Sequence, residues 1–222
     1  MILSEVVLMR RIWHWLWPDG GRELVVVLGK AYWPAAALLA VLIILNQWGG
    51  ISFVAMLRDP LSSARLPPYY GWLSNVGVLL WAAAATLCFF TAALLRKKSN
   101  RQVVYFFTTA GLFTTFLLVD VLFLVHDYIF PRILHWSERP LQLGYALLLL
   151  GHLWYFRPLW QQTDFLLCFI AVAFLGLSLV VDTFLSHIPA RIFFEDGFKL
   201  VGIVGWFHFW ARTCWQKITY DE

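Results

Sequence analysis

Apolar residues fall in six runs, at about 24–46, 72–95, 103–126, 141–156, 164–185 and 192–211, divided by charges, prolines and glycines. A helix of about 20 apolar residues rises far enough to cross roughly 30 Å of hydrocarbon. The pattern therefore predicts an all-α, polytopic membrane helix bundle of six transmembrane helices, a single integral membrane domain over residues 1–222. The fourth run is the shortest and has little length to spare for tilt. The first contains Lys30 and Pro34, and the proline predicts a kink.

Ahead of the first run, Ile2, Val6, Met9, Ile12, Trp13 and Leu16 share one side of a helical wheel. Ser4, Arg10, Arg11 and His14 lie opposite, with Glu5 breaking the pattern. That alternation predicts an N-terminal interfacial amphipathic helix over residues 1–17, anchored at headgroup level by Trp13, Trp15 and Trp17. It lacks a cationic start, and Arg10 and Arg11 stand where a signal peptide would stay apolar, so it reads as part of the mature chain.

Composition sharpens the setting. Hydrophobic side chains make up 61% of the chain and charged ones 14%, with a mean hydropathy of +0.71. Soluble domains carry about 25% charged residues, so a soluble enzyme is excluded. The net charge of +4 comes from cations scattered over loops, which points to anionic lipid and not to nucleic acid. Cys88, Cys168 and Cys214 show no CxxC spacing and read as unpaired, small apolar residues.

The distribution of Lys and Arg sets an orientation. Arg10, Arg11, Arg22, Arg96, Lys97, Lys98, Arg101, Arg157, Arg212 and Lys217 fall on one side of the predicted spans. Arg58, Arg65, Arg132, Arg139 and Arg191 fall on the other. The positive-inside rule then predicts an inner (plasma) membrane protein with both termini cytoplasmic and loop 47–71 outside.

Ionisable groups within spans are costly, and each marks a candidate site. Asp120 lies inside the third run, Asp182 inside the fifth, and Glu195, Asp196 and Lys199 near the start of the sixth. With that orientation all five occupy the outer half of the membrane. The same half holds Ser74, Asn75, His126, Asp127, Ser178 and His187. Asp120 and Asp127 are seven apart, Ser178 and Asp182 four apart, and Glu195, Lys199, Gly202 and Trp206 form one stripe, so each helix offers a polar face.

Such faces, turned together, suit a divalent cation, with Zn, Mn or Fe favoured by imidazole. In that scheme His126, Asp127, Asp182 and Glu195 are the metal ligands, and Asp120 or Asp196 is the catalytic base. The metal-bound water would attack a lipid or lipid-linked ester or amide at the outer leaflet. The rival expectation is a non-catalytic accessory or scaffold subunit of a larger membrane complex. There Lys199 neutralises Glu195 or Asp120, Ser178 and Asn75 complete the structural pairing, and the lipid bilayer is the other partner. Proton or ion transport is a third class. Separately, His152 and His208, both toward the cytoplasmic ends of the fourth and sixth helices, have the chemistry to ligate a haem or chlorin.

The Ser74–Asn75 pair, an intramembrane Asp120 in the next helix and His208 in the last resemble the superfamily of alkaline ceramidases and adiponectin receptors, seven-helix metal-dependent amidases. The remainder of that pattern is missing. No His precedes Asp120 in its own helix, Arg212 stands four residues after His208, and six spans replace seven. The resemblance therefore assigns no ligand.

Overall fold

The computed structural model describes residues 22–58, 60–184 and 190–220; the predicted interfacial helix over 1–17 and His187 lie outside these. Among the described residues the protein is all helical, with no strand. The long helices are α1 (Arg22–Gly49), α2 (Trp72–Leu95), α3 (Arg101–Leu122), α4 (Arg139–Tyr155), α5 (Phe165–Phe184) and α6 (Arg191–Tyr220). Four of them, α1, α2, α3 and α5, are long and apolar enough to cross a membrane. The chain divides into two compact units, Met1–Tyr70 and Gly71–Glu222.

In the first unit α1 runs through Pro34 and ends where Gly50 turns to a φ of 65°. There the Asn46 side-chain amide donates to the Ile51 carbonyl at 2.9 Å, closing the helix end. A short helical turn, Phe53–Leu57, starts at Ser52, whose hydroxyl accepts from the Ala55 amide.

In the second unit α2 packs on α3 and α6, and α6 packs on α5. The seams follow helical periodicity. On α2, Gly77, Trp81, Ala84, Cys88, Thr91 and Leu95 are buried at steps of three and four. On α6, Ile203, Trp206, Phe209, Trp210, Thr213 and Cys214 do the same. The interior is aromatic: the Trp160 indole stacks on Phe209 at 5.2 Å, and Phe106 meets Phe156, Trp160 and Trp210 at 5.5–5.8 Å. Within it Trp206 Nε1 donates to Thr114 Oγ1 at 3.2 Å.

Small residues let α5 and α6 approach closely. A Cβ on Gly205 would lie 3.0 Å from that of Ala171, and one on Gly202 only 2.9 Å from the Ala171 carbonyl oxygen. By contrast α4 has no fully buried residue and leans on α3 through a narrow strip.

Helix α3 stops at Leu122, short of the sequence expectation of 126. Leu124 takes a left-handed φ of 51°, which costs a β-carbon residue about 1–2 kcal/mol. The chain then reopens as a wide π-helical segment, Val125–Ile133, that contains Pro131. At the other end of the sequence α6 runs nine residues past its predicted limit of 211, to Tyr220. Arg212 in that extension pairs with Asp164, to which Gln216 also donates at 3.1 Å, so its charge is held at the start of α5.

Candidate functional site

The reversal at Leu124 brings His126 back onto Asp120. Its backbone N–H donates to Oδ1 of the carboxylate at 2.9 Å and its Nδ1 to Oδ2 at 2.8 Å. On the far side of the ring Nε2 lies 3.2 Å from Oδ1 of Asp127. A carboxylate beside each ring nitrogen favours the protonated ring. Asp120 and His126 are largely enclosed, while Asp127 is half exposed. His126 lies beyond the end of α3. Burial pulls its pKa down, but the hydrogen bond and charge of Asp120, reinforced by Asp127, outweigh both that and the opposing charge of Lys199. The imidazole therefore titrates above the ordinary 6.5.

These groups line a cavity of about 330 Å³ bordered by α2 to α6 and the π-helical segment. The predicted site residues Asp120, His126, Asp127, Ser178, Asp182, Glu195 and Lys199 all reach it. Trp81, Phe113 and Trp206 contribute aromatic surface to its lining. Asp196 faces a separate small cleft with Ser74 and Lys199. Asn75 is exposed in the first turn of α2, where its amide N–H bonds the Gly71 carbonyl.

Three contributors escape the sequence reading. Arg191, assigned to a loop, is the first residue of α6; it lies 3.5 Å from Asp182 and 3.5 Å from Glu195 and bridges α5 to its own helix. Its position four residues before Glu195 was the available signal. Tyr145 of α4 directs its hydroxyl to Asp120, and Gln142 lines the wall one turn away. Lys199, expected to pair with Glu195 or Asp120, has no ion pair among the described residues; Arg191 and His126 take those places.

Among the described residues no three His, Cys, Asp or Glu side chains are grouped as a metal ion requires. For His126, Asp127, Asp182 and Glu195 to share one ion, His126 would have to leave Asp127 and Arg191 would have to leave its two carboxylates. At the opposite end of the bundle both nitrogens of His152 are engaged: Nε2 donates to the Phe106 carbonyl at 3.2 Å, and Nδ1 accepts from Trp160 Nε1 at 3.1 Å. His208 Nδ1 donates to the Val204 carbonyl at 2.9 Å. A haem ligand at His152 would forfeit a buried hydrogen bond.

Fold and site together define an all-helical bundle of membrane type with a cavity lined by charged, aromatic and aliphatic side chains. The chain belongs to the family described as Domain of unknown function (DUF8692), whose profile matches residues 21–213. No curated protein and no solved structure matches it.

Proposed function

We propose that this chain is a six-span protein of the inner (plasma) membrane whose cavity takes the polar end of a lipid or lipid-linked molecule at the outer leaflet and cleaves it by acid–base chemistry. In this reading α4 and α6 span as well. The 17 residues of α4 rise about 25 Å, short of the roughly 30 Å core, so α4 stands nearly upright or the bilayer thins around it. Both termini are cytoplasmic, following the Lys and Arg bias of the loops.

The observation that carries the reading is His126, held between Asp120 and Asp127 in the wall of a cavity that also presents apolar side chains. Asp120 holds Nδ1 and orients the ring, while Nε2 is directed to an exposed, displaceable carboxylate. When a substrate's polar group displaces Asp127, the Nε2 proton is available to the leaving alcohol or amine of an ester or amide. Water adds to the carbonyl carbon, the acyl–oxygen or acyl–nitrogen bond breaks, and Asp127 takes the water's proton. Arg191 and Lys199 supply positive charge for an anionic intermediate or headgroup.

The test is release of fatty acid from vesicles of mixed ester- and amide-linked lipids by the reconstituted protein. His126→Gln should abolish release, and Asp127→Asn should lower it less. Release unchanged by His126→Gln would refute the assignment. Elemental analysis of the same preparation tests the metal variant of this reading, favoured by the common cavity of His126, Asp127, Asp182 and Glu195. Stoichiometric Zn, Mn or Fe lost in Asp182→Asn would move the chemistry from imidazole to a metal-bound water.

A second reading rests on the completeness of the pairing. Asp120, His126 and Asp127 form one closed set, and Asp182, Arg191 and Glu195 another. A structural set of this kind suits an accessory subunit of a larger membrane complex. It predicts stoichiometric copurification with a partner and no lipid turnover.

A further inference from the structure

We infer that the substrate enters sideways from the bilayer, as a lipid whose single extended acyl chain lies in the crevice between α3 and α4 while its polar end reaches Asp120 and Tyr145. This rests on the reading of the cavity as a lipid site and names the shape of the molecule it admits.

The crevice exists because α4 barely touches α3. On its outer face Tyr105, Leu112 and Phe116 of α3 oppose Leu147 and Gly151 of α4 around an apolar hollow of about 540 Å³. A second hollow of about 280 Å³ continues from it: Phe116 and Leu148 line both. That second hollow ends on Asp120 and Tyr145, which also line the polar cavity. The three spaces thus run from the lipid-facing surface of the bundle to the acid–base centre without leaving the α3–α4 seam.

Glycine marks the path on α4. Gly144 and Gly151 are two helical turns apart, and each lines one of the hollows. A Cβ built on either would meet nothing within 4 Å. In the α5–α6 seam glycines admit a neighbouring helix, whereas here they face empty space, so helix packing does not account for them.

Length and polarity identify the occupant. From Tyr105 to Asp120 the crevice follows α3 for about 22 Å. One leaflet's share of the hydrocarbon core is roughly 15 Å, so an entire acyl chain fits along it. The hollow is walled mainly by apolar side chains; of its polar groups Thr109 and His152 already donate to backbone carbonyls, and the Tyr105 and Tyr155 hydroxyls stand on exposed side chains. Its walls suit a hydrocarbon chain, which needs no donor. The headgroup instead meets Asp120, His126 and Lys199 where the crevice opens into the cavity.

The test uses the full-length protein in nanodiscs containing phosphatidylethanolamine with a diazirine midway along one acyl chain. After illumination, crosslinked peptides are mapped by mass spectrometry. Labelling should concentrate on Leu112, Phe116, Leu147 and Leu148, and Gly151→Trp should lower it about tenfold. Gly144→Leu, a smaller plug in the inner hollow, should lower it too, while Leu166→Trp on the exposed face of α5 should not. Because the space at both glycines is empty, the plugged variants should keep the wild-type melting temperature.

Even labelling of every bilayer-facing helix, insensitive to Gly151→Trp, would overturn the entry route. So would protein–protein crosslinks joining α4 of one copy to another, which would make the crevice a self-association face. His126→Gln separates this inference from the function it rests on. Retained crevice labelling without any turnover difference would keep the lipid site and remove the acid–base assignment. Loss of turnover with wild-type labelling spread evenly would do the reverse.

Discussion

His126 and Asp120, six residues apart, are joined twice, by the histidine's backbone N–H at 2.9 Å and by its Nδ1 at 2.8 Å. The carboxylate does two things at once. It satisfies an amide left over where α3 ends, and it fixes the face of the imidazole that looks into the cavity. The left-handed Leu124 between them is what makes the return possible, and the double bond helps offset its strain.

That pairing makes the site pH-sensitive in a defined direction. The His126 pKa is raised in the folded protein above about 6.5, its value in an unfolded chain. Its contribution to stability is therefore fully present below pH 6.5 and is lost as pH rises through the folded value. Asp120→Asn should destabilise the protein most at low pH, with the gap to wild type narrowing through that window. Thermal unfolding across pH 5–9 tests this, and the His126 ring signals in NMR should show the titration midpoint falling in Asp120→Asn. A gap that widened with pH would contradict the pairing.

The α5–α6 seam offers a prediction about packing alone. A methyl group at Gly202 would lie 2.7 Å from Leu175 Cγ and 2.9 Å from the Ala171 carbonyl oxygen, and backbone cannot easily yield. Gly202→Ala should cost about 1–3 kcal/mol. Gly176→Ala, where a Cβ meets nothing, should be neutral or slightly stabilising because alanine is the better helix former. Denaturation in mixed micelles distinguishes the two.

Most helix positions were legible in the sequence because apolar run length is a strong signal. Residues 72–95 form α2 as read, bounded by Gly71 and Arg96. The end of α3 was not legible. Val125, Tyr128, Ile129 and Phe130 keep the run largely apolar, and nothing marks Leu124 as a residue that will turn left-handed. The extension of α6 was hidden because Arg212 and Lys217 look like the end of a span; only the tertiary partner Asp164 shows why the helix continues past Arg212. The convergence of Asp120, His126, Asp182, Glu195 and Lys199 followed from placing each at the same depth. Their partners did not follow, since Arg191 sat at a presumed loop edge and nothing in the run over 141–156 singles out Tyr145.

The buried bond between Trp206 and Thr114 should matter more than its single contact suggests. Both residues are almost wholly enclosed, and Thr114 is the only described partner of that indole N–H. Thr114→Val keeps the shape but orphans the donor, and should cost about 1–3 kcal/mol. Trp206→Phe removes the donor together with part of the ring, so pairing it with Thr114→Val should be less than additive. Strict additivity would mean that the hydrogen bond contributes nothing.

Arg191 and Lys199 both line the same end of the bundle, yet only one of them is paired. Arg191 lies 3.5 Å from each of two carboxylates on different helices, while Lys199 has no ion pair among the described residues. The three paired groups are partly exposed, at 23–33% of their side-chain surface, so water screens the bridge. Arg191→Gln should therefore lower stability by about 1 kcal/mol or less, and Lys199→Met by less again. The sharper measurement is the double mutant. With Arg191 gone, Asp182 and Glu195 lose the cation they share, so Glu195→Gln should restore much of the loss. In a wild-type background the same change removes a favourable partner and should destabilise. That reversal of sign would identify Arg191 as the clamp. A stability loss that followed Lys199 instead, rescued by Glu195→Gln, would return the ion pair to the two residues on one stripe of α6.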